Sequence, residues 1–243
     1  MLKFKGKAKW LLWPLCLIFL STPKKMTAQN TTKPLNALNS QEQCMVSISA
    51  LTAVGDMDHL KPALNAGLDA GLTVNQIKEA LVQLYAYCGF PRSLNGITLL
   101  MAVLDARRLK GITDNPGKEY ADQADTTDNY ERGRKTLETL SQTPQPKPAP
   151  GFGEFAPRID TFLKEHLFAD IFKSDVLSYK QRELVTIAAL AAMPGVASQL
   201  KFHVQAGINT GLSKQQLIAV AVVTAKQIGK KQADILSGIL AEL

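Results

Sequence analysis

Glu183 and His203 are two ionisable residues within a stretch that predicts a pair of antiparallel helices. Apolar residues on both sides of a break at Met193-Pro194-Gly195 recur at the spacing of one helix face. At about 1.5 Å per residue, Glu183 lies roughly 15 Å before this break and His203 roughly 10 Å after it. The two side chains are therefore within about one helical turn of the same height. This geometry allows a contact between the carboxylate and the imidazole.

Such a contact between Glu183 and His203 has two interpretations. A buried carboxylate beside a buried imidazole can act as an acid–base unit, because each group changes the pKa of the other. Alternatively, the carboxylate is a purely structural partner of a helix histidine, and structural pairs change pKa values as well. Spacing by itself favours the structural pair, so both interpretations stay open at this point.

The chain contains an internal duplication, in which residues of one copy recur 140 positions later without a gap. Each copy predicts four helices separated by glycine-containing breaks, and no segment has the two-residue period of a strand. We therefore predict an all-α fold in which duplicated helical-hairpin repeats pack as a pseudo-dimer. The matching positions are Gln41, Gly55, Leu60-Lys61, Ala66-Gly67, Gly71-Leu72, Gln76 and Gly89 with Gln181, Gly195, Leu200-Lys201, Ala206-Gly207, Gly211-Leu212, Gln216 and Gly229.

The predicted domain organisation separates the two copies by a polar linker that contains the proline-rich run TPQPKPAP. Within the linker, Asn129–Ser141 is expected to form a surface helix. After it, Ile159–Phe172 is amphipathic, and we interpret its His166 as a packing or surface residue. The predicted parts are a signal peptide (1–29), the first repeat (40–112), the linker (113–156) and the second repeat (157–243).

The amino-terminal residues have the pattern of a secretory signal peptide: lysines, then the apolar run Trp10–Leu20, then a polar segment. We predict cleavage near Ala28 or Gln29 and export to the periplasm or the medium. The apolar run is shorter than the roughly 20 residues that a spanning helix needs. No stable membrane span is therefore expected after processing.

The formal net charge of +7 also belongs to this leader, since six of the 28 basic residues and no acidic residue precede position 30. A nearly neutral remainder argues against a nucleic-acid partner. Outside the leader, Cys44 and Cys88 could form one disulfide or remain two thiols. No CxxC is present, and the three histidines are too scattered for a metal site.

Two stretches of the chain resemble the carboxymuconolactone decarboxylase family, which includes the alkylhydroperoxidase D-like proteins. The resemblance covers both repeats and implies an all-helical fold, a small acidic substrate and assembly as a homo-oligomer, here a trimer of two-repeat chains. It also implies that the decarboxylase branch uses no metal or organic cofactor. The stretches are LKPALNAGLDAGLTVNQIKEALVQLYAYCGFPRSLNGI in the first repeat and LFADIF…LSYKQRELVTIAALAAM…SQLKFHVQAGINTGLSKQQL in the second.

The chain departs from the peroxidase branch of this family at the position of its reactive thiols. Members of that branch have a CxxC with a histidine four residues later, whereas Val196 and Gln199 stand at the matching positions before His203. Without paired thiols the thiol–disulfide cycle cannot run in that form. Cys88 lies on a different predicted helix, where it is either a single nucleophile or a buried, inert thiol.

The two repeats have diverged in complementary ways. The second keeps Arg182-Glu183 and His203, and the first keeps the run YAYCGFPRS from Tyr85 to Ser93. If the repeats pack as a pseudo-dimer, one composite site can draw on both; otherwise each copy has lost half a site and the chain is a relic scaffold. The predicted catalytic residues are His203, Glu183 and Cys88, and the predicted substrate-binding residues are Arg92, Tyr87 and Arg182.

The resemblance and these residues together favour a lyase that acts on a small carboxylated lactone or keto acid. An arginine can hold a carboxylate through two hydrogen bonds, and His203, oriented by Glu183, can deliver a proton after carbon dioxide leaves. Two alternatives remain: an antioxidant peroxidase that depends on Cys88, and a non-catalytic oligomeric binding protein. The fold alone does not choose among them.

Overall fold

The computed structural model describes residues 35–121 and 128–243, so the predicted leader and its Cys16 lie outside the described residues. Within these two ranges all regular structure is helical, as predicted. None of the helices found there combines the length and apolar character needed to cross a membrane.

Each repeat folds into four helices, and the second set follows the first at the offset read from the sequence. This confirms the duplication and the all-α class. The first repeat contains α1 (Ser40–Val54), α2 (Met57–Asp69), α3 (Val74–Cys88) and α4 (Phe90–Leu109). The second contains α8 (Tyr179–Ala192), α9 (Ala197–Asn209), α10 (Lys214–Gln227) and α11 (Lys230–Ala241).

The turn between the second and third helices of each repeat is built in the same way. Gly71 and Gly211 take positive φ angles of 91° and 100°, a conformation in which a side chain would be strained. The next helix then begins with a capping box, Thr73 with Gln76 in one repeat and Ser213 with Gln216 in the other. Both boxes agree with the sequence pattern.

The first helix begins with a capping box formed by Asn39 and Glu42. Ser40 and Gln43 have the S-x-x-Q pattern that predicts such a box one residue later. Asparagine and serine are comparable helix caps, so the pattern by itself does not choose between the two positions. The Gln43 amide instead donates to two backbone carbonyls of the preceding turn.

The two repeats pack as the predicted pseudo-dimer around one shared hydrophobic core. Helices α1 and α8 lie against each other at its centre, while α3 packs on α8 and α10 packs on α1. Small residues allow close approach: a Cβ at Gly207 would lie 2.8 Å from the Ile187 Cδ1 atom, and one at Gly67 would lie 3.0 Å from Ile48 Cδ1. These two contacts lie within single repeats, whereas the packing of α3 on α8 and of α10 on α1 brings side chains of each repeat to the central helix of the other.

The chain between α4 and α8, which comprises the predicted linker (113–156) and the start of the predicted second repeat, is folded rather than merely a tether. It contains α5 (Asn129–Ser141), α6 (Phe152–Phe155), α7 (Pro157–Thr161) and a π-helix (Phe162–Ile171). Helix α5 forms where a surface helix was predicted, but it packs closely on the π-helix: a Cβ at Gly133 would lie 1.8 Å from the Lys164 carbonyl oxygen. Their contact buries a small apolar cluster that includes Leu137, Leu140 and Phe168.

A buried charge network lies inside this segment. The Lys164 ammonium lies 2.9 Å from Asp160 Oδ1 and also donates to the Tyr130 hydroxyl and the Pro146 carbonyl. Tyr130 in turn donates to Asp160 Oδ2 at 2.5 Å. Because each charged group has partners, the network can remain ionised away from water.

Candidate functional site

Glu183 on α8 and His203 on α9 form the contact that helix arithmetic predicted. His203 Nδ1 lies 2.8 Å from Glu183 Oε2, with the histidine 5% and the glutamate 0% exposed. An ionised carboxylate can only accept, so Nδ1 carries a proton in this contact. The other ring nitrogen, Nε2, is then the atom through which His203 can exchange a proton.

Tyr87, on the last turn of α3 in the first repeat, completes this group. Its ring packs edge-on against the His203 imidazole, with the ring centroids 5.3 Å apart. Burial raises the pKa of Tyr87, the Glu183 charge raises it further, and the nearby Thr186 hydroxyl and Arg182 charge oppose this. Tyr87 is therefore a neutral phenol that can donate a hydrogen bond.

Two atoms of this group are buried without a hydrogen-bond partner among the described residues: the Tyr87 hydroxyl oxygen and Glu183 Oε1. Buried polar atoms in folded proteins are nearly always paired, so two unpaired ones beside a histidine call for an explanation. A bound polar molecule or an ordered water would satisfy both. We therefore regard Tyr87, Glu183 and His203 as the candidate site.

Arg92 and Cys88 lie beside this group, at the junction of α3 and α4. The Arg92 guanidinium donates to the Ala53 carbonyl and lies 3.9 Å from the Met193 sulfur, so it reaches the turn between α8 and α9. Arg92 is otherwise exposed, which leaves donors for a ligand. Its charge also acts on the Cys88 thiol, next to Tyr87 in the chain.

The Cys88 thiol has the surroundings of an inert cysteine. It lies 3.2 Å from the Leu84 carbonyl of its own helix, and burial raises its pKa despite an opposing effect of the Arg92 charge. A raised pKa reduces the thiolate, which is the reactive form. Cys88 and Cys44 are both free, so the disulfide left open by the sequence is not formed.

Arg182 occupies a position that does not suit the predicted substrate-binding role. Its guanidinium is buried and donates to Gln83 at 2.8 Å, Glu79 at 2.7 Å and the Ser174 carbonyl at 2.7 Å. These contacts join α8 of the second repeat to α3 of the first. Arg182 therefore holds the repeats together, and we leave it out of the candidate site.

Gln83 is a residue of this region that sequence reasoning missed. Its amide donates to the Arg182 carbonyl at 2.9 Å and to the Thr186 hydroxyl at 2.8 Å. Both partners lie about a hundred residues away in the chain. The sequence indicates this residue only as a glutamine at an inward-facing position of α3.

The pseudo-symmetric position in the other half of the molecule has a different composition. Gln43, Ala63 and Gln227 stand where Glu183, His203 and Tyr87 stand in the candidate site. The Gln227 amide donates to Ser47 there, at 3.2 Å. The set of carboxylate, imidazole and phenol therefore occurs at one of the two equivalent positions.

The groove between α10 and α11 lies apart from the candidate site. A groove of about 520 Å³ runs between α10 and α11, and its lining does not include Tyr87, Glu183 or His203. Residues 35–121 and 128–243 contain no cluster of histidine, cysteine, aspartate and glutamate that could hold a metal ion.

Comparison with known proteins supports the family resemblance. A model of the carboxymuconolactone decarboxylase family matches residues 26–101 and 157–233. A crystal structure from Burkholderia xenovorans LB400, described as a gamma-carboxymuconolactone decarboxylase subunit, is similar with a TM-score of 0.52 and 18% identity. The similarity covers 88% of this chain and 86% of that one, and at this identity it shows the fold. A search of curated proteins gave no match. Because the family model matches more than half of the chain, in both repeats, the chain belongs to the carboxymuconolactone decarboxylase family.

Proposed function

We propose that this protein is a lyase that releases carbon dioxide from a small carboxylated lactone or β-keto acid. The observation that carries the proposal is the buried Glu183–His203 pair beside the unpartnered hydroxyl of Tyr87. Buried groups of this kind, arranged for proton exchange, are typical of acid–base sites. Family membership supports the same class of reaction.

The reaction that we propose starts with cleavage of the bond between the carboxylate carbon and its neighbour. The electron pair of that bond moves onto the adjacent carbonyl group as carbon dioxide leaves, so an enolate forms. Tyr87, a neutral phenol, is placed to donate a hydrogen bond to the enolate oxygen. His203 Nε2 then gives its proton to the enolate carbon, and Glu183 stabilises the imidazolium before this transfer. Solvent returns the proton to His203.

Substrate orientation in this proposal falls to Arg92. Arg92 is exposed in the first turn of α4, five residues after Tyr87 in the chain, and its guanidinium reaches Met193 in the turn between α8 and α9. A guanidinium binds a carboxylate with two parallel hydrogen bonds. A substrate with a second carboxylate would therefore be held at its far end, while the reacting carboxylate is buried and loses its hydration, which favours its departure.

The test is release of carbon dioxide from 4-carboxymuconolactone by residues 30–243, the chain that remains after the proposed export and cleavage. We expect turnover that saturates with substrate. The reaction is measured by the loss of lactone absorbance and by detection of the carbon dioxide released. A panel of β-keto acids extends the test to the wider substrate class. No release from any of these compounds would overturn the lyase proposal and leave a binding protein as the better description.

A peroxidase function requires a reactive thiol, and Cys88 is expected not to supply one. Because burial raises the pKa of Cys88, we expect slow reaction with a disulfide reagent at pH 7 and no peroxide reduction. Cys88→Ser should leave carbon dioxide release within about twofold of the parent. Cys44→Ser is the matched control, since burial also raises the pKa of Cys44. Rapid labelling confined to Cys88, with thiol-dependent peroxide consumption, would favour the peroxidase instead.

We also propose that the chain self-associates, as a trimer, through surfaces that differ between its two repeats. On α4, Leu94 and Met101 are 55% and 62% exposed. Their counterparts on α11 are Asp234 and Ala241, which line the groove between α10 and α11. Large exposed apolar side chains often mark an interface, and the groove on the other repeat offers a surface for them on a neighbouring chain.

Replacing both Leu94 and Met101 by Glu is expected to convert the assembly to monomers, because two charges would have to be buried in the contact. The measurement is mass by light scattering or sedimentation at several protein concentrations. Leu109→Glu, on an even more exposed leucine at the end of α4, is the control and should not change the mass. A monomeric parent protein, or a double variant with unchanged mass, would contradict the proposal.

A further inference from the structure

A second carboxylate–imidazole–phenol set lies on the surface, formed by Asp170, His166 and Tyr85. Asp170 Oδ2 lies 3.0 Å from His166 Nδ1, and His166 Nε2 is hydrogen-bonded to the Tyr85 hydroxyl. Tyr85 comes from α3 of the first repeat, and the other two come from the π-helix between the repeats. Tyr85, which is 81 positions from His166 in the chain, is thus brought into one line of hydrogen bonds with His166 and Asp170.

A further hydrogen bond holds the Asp170 carboxylate in place. The Asn129 side-chain amide donates to Asp170 Oδ1 at 2.9 Å, which leaves Oδ2 directed at the histidine. A carboxylate held at one oxygen and bonded to Nδ1 at the other sets the tautomer, so that Nε2 accepts a proton. The Tyr85 hydroxyl is therefore the donor to Nε2, and the histidine is placed to remove its proton.

The π-helix is the local feature that makes this arrangement unusual. Helices with this wider turn are rare, and they occur often at functional positions. The π-helix carries both His166 and Asp170. Phe90 stacks on the Tyr85 ring with centroids 4.3 Å apart and is itself exposed, so an apolar surface lies next to the phenol.

We propose that Tyr85 is an activated nucleophile that accepts an acyl group from small activated esters, with His166 as its general base and Asp170 as the positioning residue. The sequence of nucleophile, base and orienting carboxylate is the arrangement that activates weak hydroxyl nucleophiles in covalent catalysis. The exposed Phe90 ring favours an ester with an apolar or aromatic leaving group. This centre uses none of the side chains assigned to the lyase reaction.

The step begins when the Tyr85 oxygen attacks the ester carbonyl carbon and His166 Nε2 takes the phenol proton. The bond from that carbon to the leaving oxygen then breaks, and its electron pair goes to the leaving oxygen, which receives the proton from the imidazolium. The products are an acyl ester on Tyr85 and a free alcohol or phenol. Water, deprotonated by the same histidine, can later hydrolyse the ester and restore Tyr85.

The experiment uses 4-nitrophenyl acetate as the probe and peptide mass spectrometry to locate the acetyl group. Tyr120 is the reference tyrosine because it is more accessible than Tyr85: it is 44% exposed, whereas Tyr85 is half-buried. Faster labelling of Tyr85 would therefore not be explained by exposure. We expect acetylation of Tyr85 to exceed that of Tyr120 by on the order of 10²-fold, the lower end of what a positioned base contributes. Tyr85→Phe, which keeps the ring but removes the hydroxyl, should abolish this modification.

Variants of His166 and Asp170 distinguish activation of the Tyr85 hydroxyl from simple exposure of Tyr85 to the reagent. His166→Gln should reduce Tyr85 acetylation to the rate of Tyr120, and Asp170→Asn should shift the pH profile of the reaction as well as slow it. His59→Gln is the matched control, since His59 also pairs with a surface aspartate, Asp56, at 2.8 Å but has no place in the proposed centre. Equal labelling of Tyr85 and Tyr120, or labelling of Tyr85 that survives His166→Gln, would overturn the proposal. Neither outcome bears on the lyase proposal, because these variants are expected to leave carbon dioxide release unchanged.

Discussion

Replacing His203 by Gln is expected to lower kcat for carbon dioxide release by on the order of 10²–10⁴-fold, the usual contribution of a positioned acid or base. The amide of Gln can still hydrogen-bond to Glu183, but it cannot deliver a proton to the enolate. Because substrate binding is assigned to other side chains, KM should change little. Initial rates across a range of substrate concentrations would measure both constants.

Glu183→Gln provides a second test of the same site. The imidazole would keep a hydrogen-bond partner but lose the negative charge that stabilises its protonated form, so we expect a smaller fall in kcat than for His203→Gln. The two losses should not add in the double variant, since the residues act as a unit. Thermal unfolding of each variant controls for damage to the fold. Full activity of a well-folded His203→Gln variant would refute the proposed acid.

The largest expected loss of stability follows from Lys164→Met. Lys164 and Asp160 form a fully buried ion pair, and removal of one partner from such a pair typically costs about 3–5 kcal/mol in free energy of unfolding. Met fills a similar volume, so the loss would report the uncompensated Asp160 charge rather than a cavity. Chemical denaturation of the variant and the parent would give the difference.

Two further variants identify the cause of that loss. Lys164→Met combined with Asp160→Leu should recover much of the stability, because buried ion pairs can often be replaced by apolar side chains. Lys147→Met is the control: its ammonium lies 4.3 Å from the centroid of the Tyr130 ring but is exposed. Such exposed contacts contribute only about 0.5–1 kcal/mol. A loss from Lys164→Met as small as that of the control would contradict the assigned network.

The same network makes a prediction about pH. Burial raises the pKa of Asp160, but the hydrogen bond from Tyr130 and the hydrogen bond and charge of Lys164 more than offset this, so the pKa is lowered overall. A carboxyl whose pKa is lower in the folded state stabilises the fold above its unfolded pKa, about 3.9 for Asp. This stabilisation is lost as the pH falls through the folded pKa. The stability advantage of the parent over the Lys164→Met, Asp160→Leu variant should therefore shrink below about pH 4.

The parts of the fold that could be predicted from the sequence are those that depend on local spacing. The contact of Glu183 with His203 followed from counting residues on either side of one helix break, and the repeat followed from matched glycines and caps. The partners of Arg182 could not be found in this way, because Gln83 and Glu79 reach it from the other repeat. Nothing in the spacing of side chains indicates which helix of a distant copy will lie alongside.

The segment between the repeats shows a second limit of sequence patterns. Its amphipathic spacing predicted a helix, but a period near 3.6 does not distinguish an α-helix from a π-helix. Lys164 lies in the same segment and is fully buried with Asp160 and Tyr130, a placement that the spacing of apolar residues does not indicate. The burial of a lysine depends on partners that only the folded chain provides, here a tyrosine from α5 and a carbonyl from the proline-rich run.

The unequal composition of the two pseudo-symmetric positions has a consequence for stoichiometry. A symmetric dimer of identical single-repeat chains would hold two equivalent sites, whereas this chain has Gln43, Ala63 and Gln227 at the second position. A tight-binding analogue of the enolate should therefore saturate at one molecule per chain. Under the proposed trimer, a ring of three chains would hold three such molecules, one for each Glu183–His203 pair.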